Sequence, residues 1–154
     1  MKLKFNKWLF SIIAFIFGFS GTVAAQYGVI ENHYLVKGNV KSEKCLTGIP
    51  QIKITLKATD ENGVDYFTET LTDDKGNYTI DLDNSKVLKF ENYLMTVIDE
   101  DGKENQGDFQ STRQQVVLRK NDFTKSDFNN WNQYYDSKNT YNYALKFKKD
   151  QPCK

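Results

Sequence analysis

The sequence predicts an all-β protein: a single antiparallel β-sandwich of about seven strands, preceded by a signal-peptide helix. Three observations predict it. Apolar Ile52, Ile54, Leu56 and Ala58 alternate with Lys53, Thr55, Lys57 and Thr59, the period of a strand with one buried face. Clusters such as Asp60-Glu61-Asn62-Gly63, Asp73-Asp74-Lys75-Gly76 and Asp99-Glu100-Asp101-Gly102 punctuate the apolar segments, as tight turns require. Beyond residue 25 no window carries a sustained apolar stripe at helical spacing, so nothing supplies the crossover helices of a parallel sheet.

The elements follow in order. Lys2, Lys4 and Lys7 form a basic start, Trp8 to Phe19 an apolar stretch, and Ser20-Gly21-Thr22-Val23-Ala24-Ala25 a small-residue end. This three-part pattern is that of an export signal, with Val23 and Ala25 suited to cleavage before Gln26. Residues 1–25 are therefore read as signal peptide and 26–154 as one domain. A retained membrane helix is the alternative, because Trp8 to Ala25 is an uncharged run of 18 residues, just long enough to span a bilayer. Tyr34 to Val40 reads as the first strand. Ile52 to Thr59 and Val64 to Leu71 form a hairpin, and Asn77 to Leu82 follows. Phe90 to Ile98, Gln115 to Leu118 and Tyr141 to Phe147 complete the set. Asn121 to Asn139 has no strand pattern and reads as a long loop, of the kind that carries function or packs through its own side chains.

Composition excludes several functions. The 154 residues carry 21 Lys and Arg against 20 Asp and Glu, a net charge of +1. Without the three lysines of residues 1–25 the balance is 18 against 20, which argues against a nucleic-acid partner. One histidine and two cysteines exclude a multi-histidine metal site and a paired-cysteine zinc or redox motif. No cofactor is expected. Export would place Cys45 and Cys153 in an oxidising compartment, where they can form one bridge closing a loop of 108 residues, worth about 4–5 kcal/mol in the chain-entropy model. Free thiols, or a cysteine paired to a partner, are the alternatives.

Candidate chemistry is sparse. His33 precedes the first expected strand, close to the mature start, where a base is poorly held; no catalytic residue is assigned. Asp99, Asp101 and Glu104 are candidate ligands for a hard cation such as calcium. Their spacing does not fit an EF-hand loop, however, and acids beside Gly102 are also what a solvated turn uses. Trp131, Tyr134 and Tyr135, set among Asn129, Asn130, Asn132 and Asp136, combine flat apolar faces with hydrogen-bonding groups, a mixture suited to sugar rings or extended peptide. If the rings instead pack over one end of the sandwich, Trp131 is buried and Trp131→Ala costs about 3–5 kcal/mol. Partial burial is expected, with Tyr134 or Tyr135 left facing solvent.

Two sets of segments carry family resemblances. Tyr34-Leu35-Val36-Lys37-Gly38-Asn39-Val40, Gly48-Ile49-Pro50 with the strand after it, and Thr72-Asp73-Asp74-Lys75-Gly76-Asn77-Tyr78 resemble carboxypeptidase-regulatory-like and transthyretin-like domains. Phe5-Asn6-Lys7-Trp8-Leu9, Ala25-Gln26-Tyr27-Gly28-Val29 and the run Asp99 to Phe109 are similar to the radical-SAM-associated lipoproteins of Bacteroidetes-type bacteria. That resemblance implies a small exported β-domain without catalysis of its own, associated with a radical SAM enzyme. The chain departs from it in two places: no lipobox cysteine precedes Tyr27, and Gln106 stands where the family tends to have glycine. The expected function is thus a non-enzymatic accessory or binding domain of the cell envelope, periplasmic or at the cell surface, with an envelope protein or glycan as partner. A glycan or peptide hydrolase using carboxylates near the aromatic stretch is one alternative. A protein substrate of the radical SAM enzyme is the other.

Overall fold

The computed structural model describes residues 30–59, 63, 65–84, 89–104, 106–129 and 131–153. The expected signal peptide and most of the Asp60–Gly63 turn lie outside them. In chain order the strands are β1 (Glu31–Ser42), β2 (Lys53–Thr59), β3 (Asp65–Leu71), β4 (Asn77–Asp83), β5 (Asn92–Ile98), β6 (Thr112–Val117), β7 (Phe123–Asn129), β8 (Asn132–Ser137) and β9 (Tyr143–Leu145). One sheet has the order β4-β1-β8-β7 with β9 also on β1; the other has the order β3-β2-β5-β6. The all-β sandwich is as expected, with nine described strands where about seven were read.

The extra pair is the stretch read as a loop. Within it β7 and β8 pair antiparallel, with a bulge between Lys125 and Asp127. Its alternation is hidden because only Phe123 of β7 is buried. A second difference follows from β1, which at 12 residues is longer than its neighbours. β4 runs antiparallel along one side of it, while β8 covers its first half and β9 its last residues, both in parallel. The antiparallel sandwich therefore contains two parallel pairings among its described strands.

Alternate residues of each sheet face inward to one core. Tyr34, Val36, Ile80 and Leu82 come from one side, and Ile54, Leu56, Met95 and Val97 from the other, all within a single cluster of buried residues. The Tyr78 and Tyr143 hydroxyls reach across to the Met95 sulfur at 3.5 and 3.1 Å. Burial pushes both phenols up, Tyr143 to about 12, so both stay neutral; the Tyr143 proton goes to the sulfur, whereas that of Tyr78 goes to the Tyr141 carbonyl.

The motif residues now have physical roles. Thr72 is buried; its hydroxyl donates to the Ile49 carbonyl at 2.7 Å and accepts from the Ile52 N–H at 2.9 Å. The Asp73 carboxylate accepts the Asn77 and Lys75 N–H groups, which hold it below the usual carboxylate range. Gly76 supplies the positive φ of 77° that closes this turn, a conformation costly for other residues. Gly38 leaves room for the Tyr78 hydroxyl to donate to the Tyr141 carbonyl at 2.7 Å, since a Cβ there would run into both groups.

The C-terminal segment is fastened beside the turn after β1. Cys45 and Cys153 are joined in a disulfide with Cα atoms 5.6 Å apart. The Glu43 N–H donates to the Leu145 carbonyl at 2.9 Å, Lys44 pairs with Asp150 at 2.6 Å, and Phe147 stacks on buried Phe109 at 4.6 Å.

Candidate functional site

The outer face of the five-stranded sheet gathers polar and aromatic side chains from four strands. Strand register sets them in rows. Asp83, His33, Tyr134 and Asp127 form one row across β4, β1, β8 and β7, and Asp81, Leu35, Asp136 and Thr124 form the next. The alternation of a strand thus places residues up to a hundred positions apart in the chain side by side.

Within this face His33 is held on both sides. Its Nδ1 lies 2.9 and 3.1 Å from the two Asp81 carboxylate oxygens, and its ring stacks on Tyr134 with centroids 5.1 Å apart. The expectation of a poorly held terminal histidine is therefore corrected: His33 is the third residue of β1. Its Nε2 is enclosed without a hydrogen-bond partner among the described residues, with Glu31 at 3.9 Å. The Asp81 contact and the ring stacking together fix the imidazole beside Tyr134.

Beside Tyr134 lies a shallow hollow of about 350 Å³ lined by Leu35, Lys37, Ser126, Asp127, Tyr134 and Asp136. Lys37 donates to Asp136 Oδ2 at 2.8 Å, while Asp136 Oδ1 is enclosed with no partner among the described residues. Buried acceptors of this kind normally receive a hydrogen bond. A second hollow of similar size adjoins it through Lys37 and is lined by Asn39, Asn77, Thr79, Thr140 and Asn142 among others. Asn39 organises this part: its side chain donates to Asn77 Oδ1 and to the Lys75 carbonyl, and its N–H donates to Asn142 Oδ1, all at 3.0 Å. Together the hollows present carboxylate, hydroxyl and amide groups beside the Tyr134 ring and the Leu35 side chain.

The three aromatic residues singled out in the sequence do not share a surface. Tyr134 faces this site. Tyr135 points to the other side of the sheet, half-buried and stacked on Tyr34 at 5.0 Å. Trp131 sits in the β7–β8 turn, 58% exposed. The expectation that Tyr134 or Tyr135 would be the ring facing solvent is corrected: both are half-buried and Trp131 is the exposed ring, because the hairpin reaches past the core and no described strand covers the indole. Asp81 and Lys37 were missed, and His33 and Asp136 were not linked to them, because only cross-strand register brings the four together.

The acidic candidates occupy a different region. Asp99 is buried in the loop after β5, where its two oxygens accept the N–H groups of Gly102 at 3.2 Å and Phe109 at 2.7 Å. Burial first, and then a hydrogen bond to the Asp101 carboxyl, push Asp99 up to about 6. Glu104 is exposed, and no three His, Cys, Asp or Glu side chains converge on a metal-sized site among the described residues. Gln106 adopts a φ of 81°. Its side chain accepts from the Thr47 hydroxyl and donates to the Gly48 carbonyl, both at 3.1 Å, tying this loop to the turn that carries Cys45.

No family model matches the chain, and no curated protein matches it. Among solved structures it is similar to the major plantain pollen allergen Pla l 1, at 15% identity over 80% of this chain and 97% of the other, with a TM-score of 0.34. That likeness is too distant to bear on function.

Proposed function

We propose that the chain is an exported, non-enzymatic binding domain of the cell envelope, and that the outer face of its five-stranded sheet takes the partner, an envelope glycan or an extended protein segment. The observation that carries this reading is the pair of adjoining hollows, which set the Tyr134 ring beside Lys37, Asp136 and the Asn39–Asn77–Asn142 amides. A ligand rich in hydroxyl or amide groups hydrogen-bonds to the lysine, carboxylate and amide side chains that line the hollows, and the Tyr134 ring adds apolar contact. Export is supported by the three-part N-terminal segment and by the Cys45–Cys153 bridge, which persists in oxidising compartments.

The hydrolase alternative gains little from the geometry. Asp136 is engaged by Lys37 and Asp81 by His33. Asp99, the carboxyl pushed up to about 6, lies outside this face with both oxygens occupied by backbone N–H groups. Carboxylates on the face also disfavour a phosphate-rich partner such as nucleic acid. Association with a radical SAM enzyme rests on the sequence resemblance.

A glycan and peptide array tests the proposal when read with the unsubstituted protein and with Tyr134→Ala. Binding that falls at least about tenfold in the variant, with an unchanged melting curve, supports it. Turnover of an arrayed glycan or peptide, lost in Asp81→Asn or Asp136→Asn, overturns the non-enzymatic reading.

A further inference from the structure

We propose that the open end of the five-stranded sheet contacts a lipid bilayer, with Ile30, Phe128 and Trp131 seated in its interfacial zone. The core ends before this sheet does. Along the inward face of β1, exposure rises from buried Tyr34 through half-buried Asn32 to Ile30, 49% exposed. On β7 it rises from buried Phe123 to Phe128, 50% exposed. Phe128 pairs with Gln133 and Gln133 with Asn32, so Phe128 and Ile30 share the inward face beyond the last core residue. Trp131 joins them at the tip, its carbonyl accepting the Glu31 N–H at 2.8 Å.

The occupant follows from where the rest of the chain attaches. The uncharged run Trp8 to Ala25 precedes Ile30 by only the four residues 26–29, a connection of at most about 18 Å when extended. On the alternative in which that run is retained as a membrane helix rather than cleaved before Gln26, the bilayer holding it lies within reach of this end of the sandwich. The side chains suit such a surface. Tryptophan settles at the membrane–water boundary. The Lys125 ammonium, 5.5 Å from the centre of the Phe128 ring, keeps its charge at headgroup level while its stem lies along apolar surface. The bulge after Lys125 and that lysine also spoil this edge for pairing with a second β-edge, which disfavours another copy as the occupant.

The test uses the full chain in vesicles of phosphatidylethanolamine and phosphatidylglycerol. The chain has two tryptophans, so Trp8→Phe leaves Trp131 as the single reporter. Lipids brominated near the headgroup should quench Trp131 at least about twofold, and its emission should shift to the blue. In a Lys125→Glu/Phe128→Ser variant the quenching should weaken while the melting midpoint holds. Trp131 emission at the position of a fully hydrated indole, unchanged by brominated lipid in vesicle-bound protein, overturns the proposal. That outcome leaves binding at Tyr134 untouched, since Tyr134 lies on the opposite face of the sheet.

Discussion

Opening the Cys45–Cys153 bridge should destabilise the domain without changing its fold. The bridge spans 108 residues of sequence, and the chain-entropy relation for a loop of that length gives about 5 kcal/mol, exerted through the unfolded state. The native state keeps its other fastenings at that point. Phe147 still stacks on Phe109, Lys44 still meets Asp150, Lys148 still meets Asp108 at 2.6 Å, and β9 still pairs with β1. Reduction should therefore leave the strand content intact while the unfolding midpoint falls. With about 2.1 cal/mol/K of unfolding entropy per residue, the fall is roughly 15–20 °C for a domain of this size. Calorimetry with and without a phosphine reductant measures it, and a Cys45→Ser/Cys153→Ser variant should reproduce the reduced midpoint. Alkylatable thiols in the untreated native protein, or a midpoint that moves by less than about 3 °C on full reduction, would refute the reasoning.

Further outcomes follow from individual side chains. Trp131→Ala should change stability by no more than about 0.5 kcal/mol, whereas Tyr34→Ala, which removes a fully buried ring stacked on Tyr135, should cost about 3–5 kcal/mol in chemical denaturation. The raised Asp99 pKa means that the folded state holds a proton the unfolded chain gives up more readily. Its favourable contribution is complete below about pH 4 and is lost as pH rises through about 6; stability measured across that window should fall on this account, and Asp99→Asn should flatten the slope. Gln106→Ala keeps the strained φ and loses both side-chain bonds, so it should cost about 1–2 kcal/mol. Gln106→Gly relieves the strain and should cost less than the alanine variant by roughly 1 kcal/mol on the same denaturation curves.

Legibility in the sequence tracked one-sided burial. β2, β4 and β5 were readable because Ile54, Leu56 and Ala58, then Tyr78, Ile80 and Leu82, then Tyr93, Met95 and Val97 are inward and their neighbours are more exposed. β7 and β8 were not, because the hairpin runs past the core and both of its faces carry polar residues. The same cause hid the start of β1, whose Glu31-Asn32-His33 segment looks like a solvated terminus until β8 is paired beside it. The disulfide needed only two cysteines and a compartment. The binding face needed register: His33 meets Asp81 across 48 positions and Lys37 meets Asp136 across 99, separations that leave no local spacing to recognise. Tyr134 was found for its ring type, but its partition from Tyr135 and Trp131 followed only from the strand and the turn around them.

Backbone amide chemical shifts test the binding face most directly. The disulfide-bonded protein is titrated with a panel of envelope-type oligosaccharides and extended peptides. At least one member should move the resonances of Leu35, Lys37, Asp127, Tyr134 and Asp136, which line or border one hollow, and Tyr134→Ala should abolish those shifts while its remaining spectrum stays folded. Shifts confined to Lys57, Leu94 and Gln115, which line a groove on the other sheet, or no shift with any member of the panel, would contradict the assignment of the site to the five-stranded sheet.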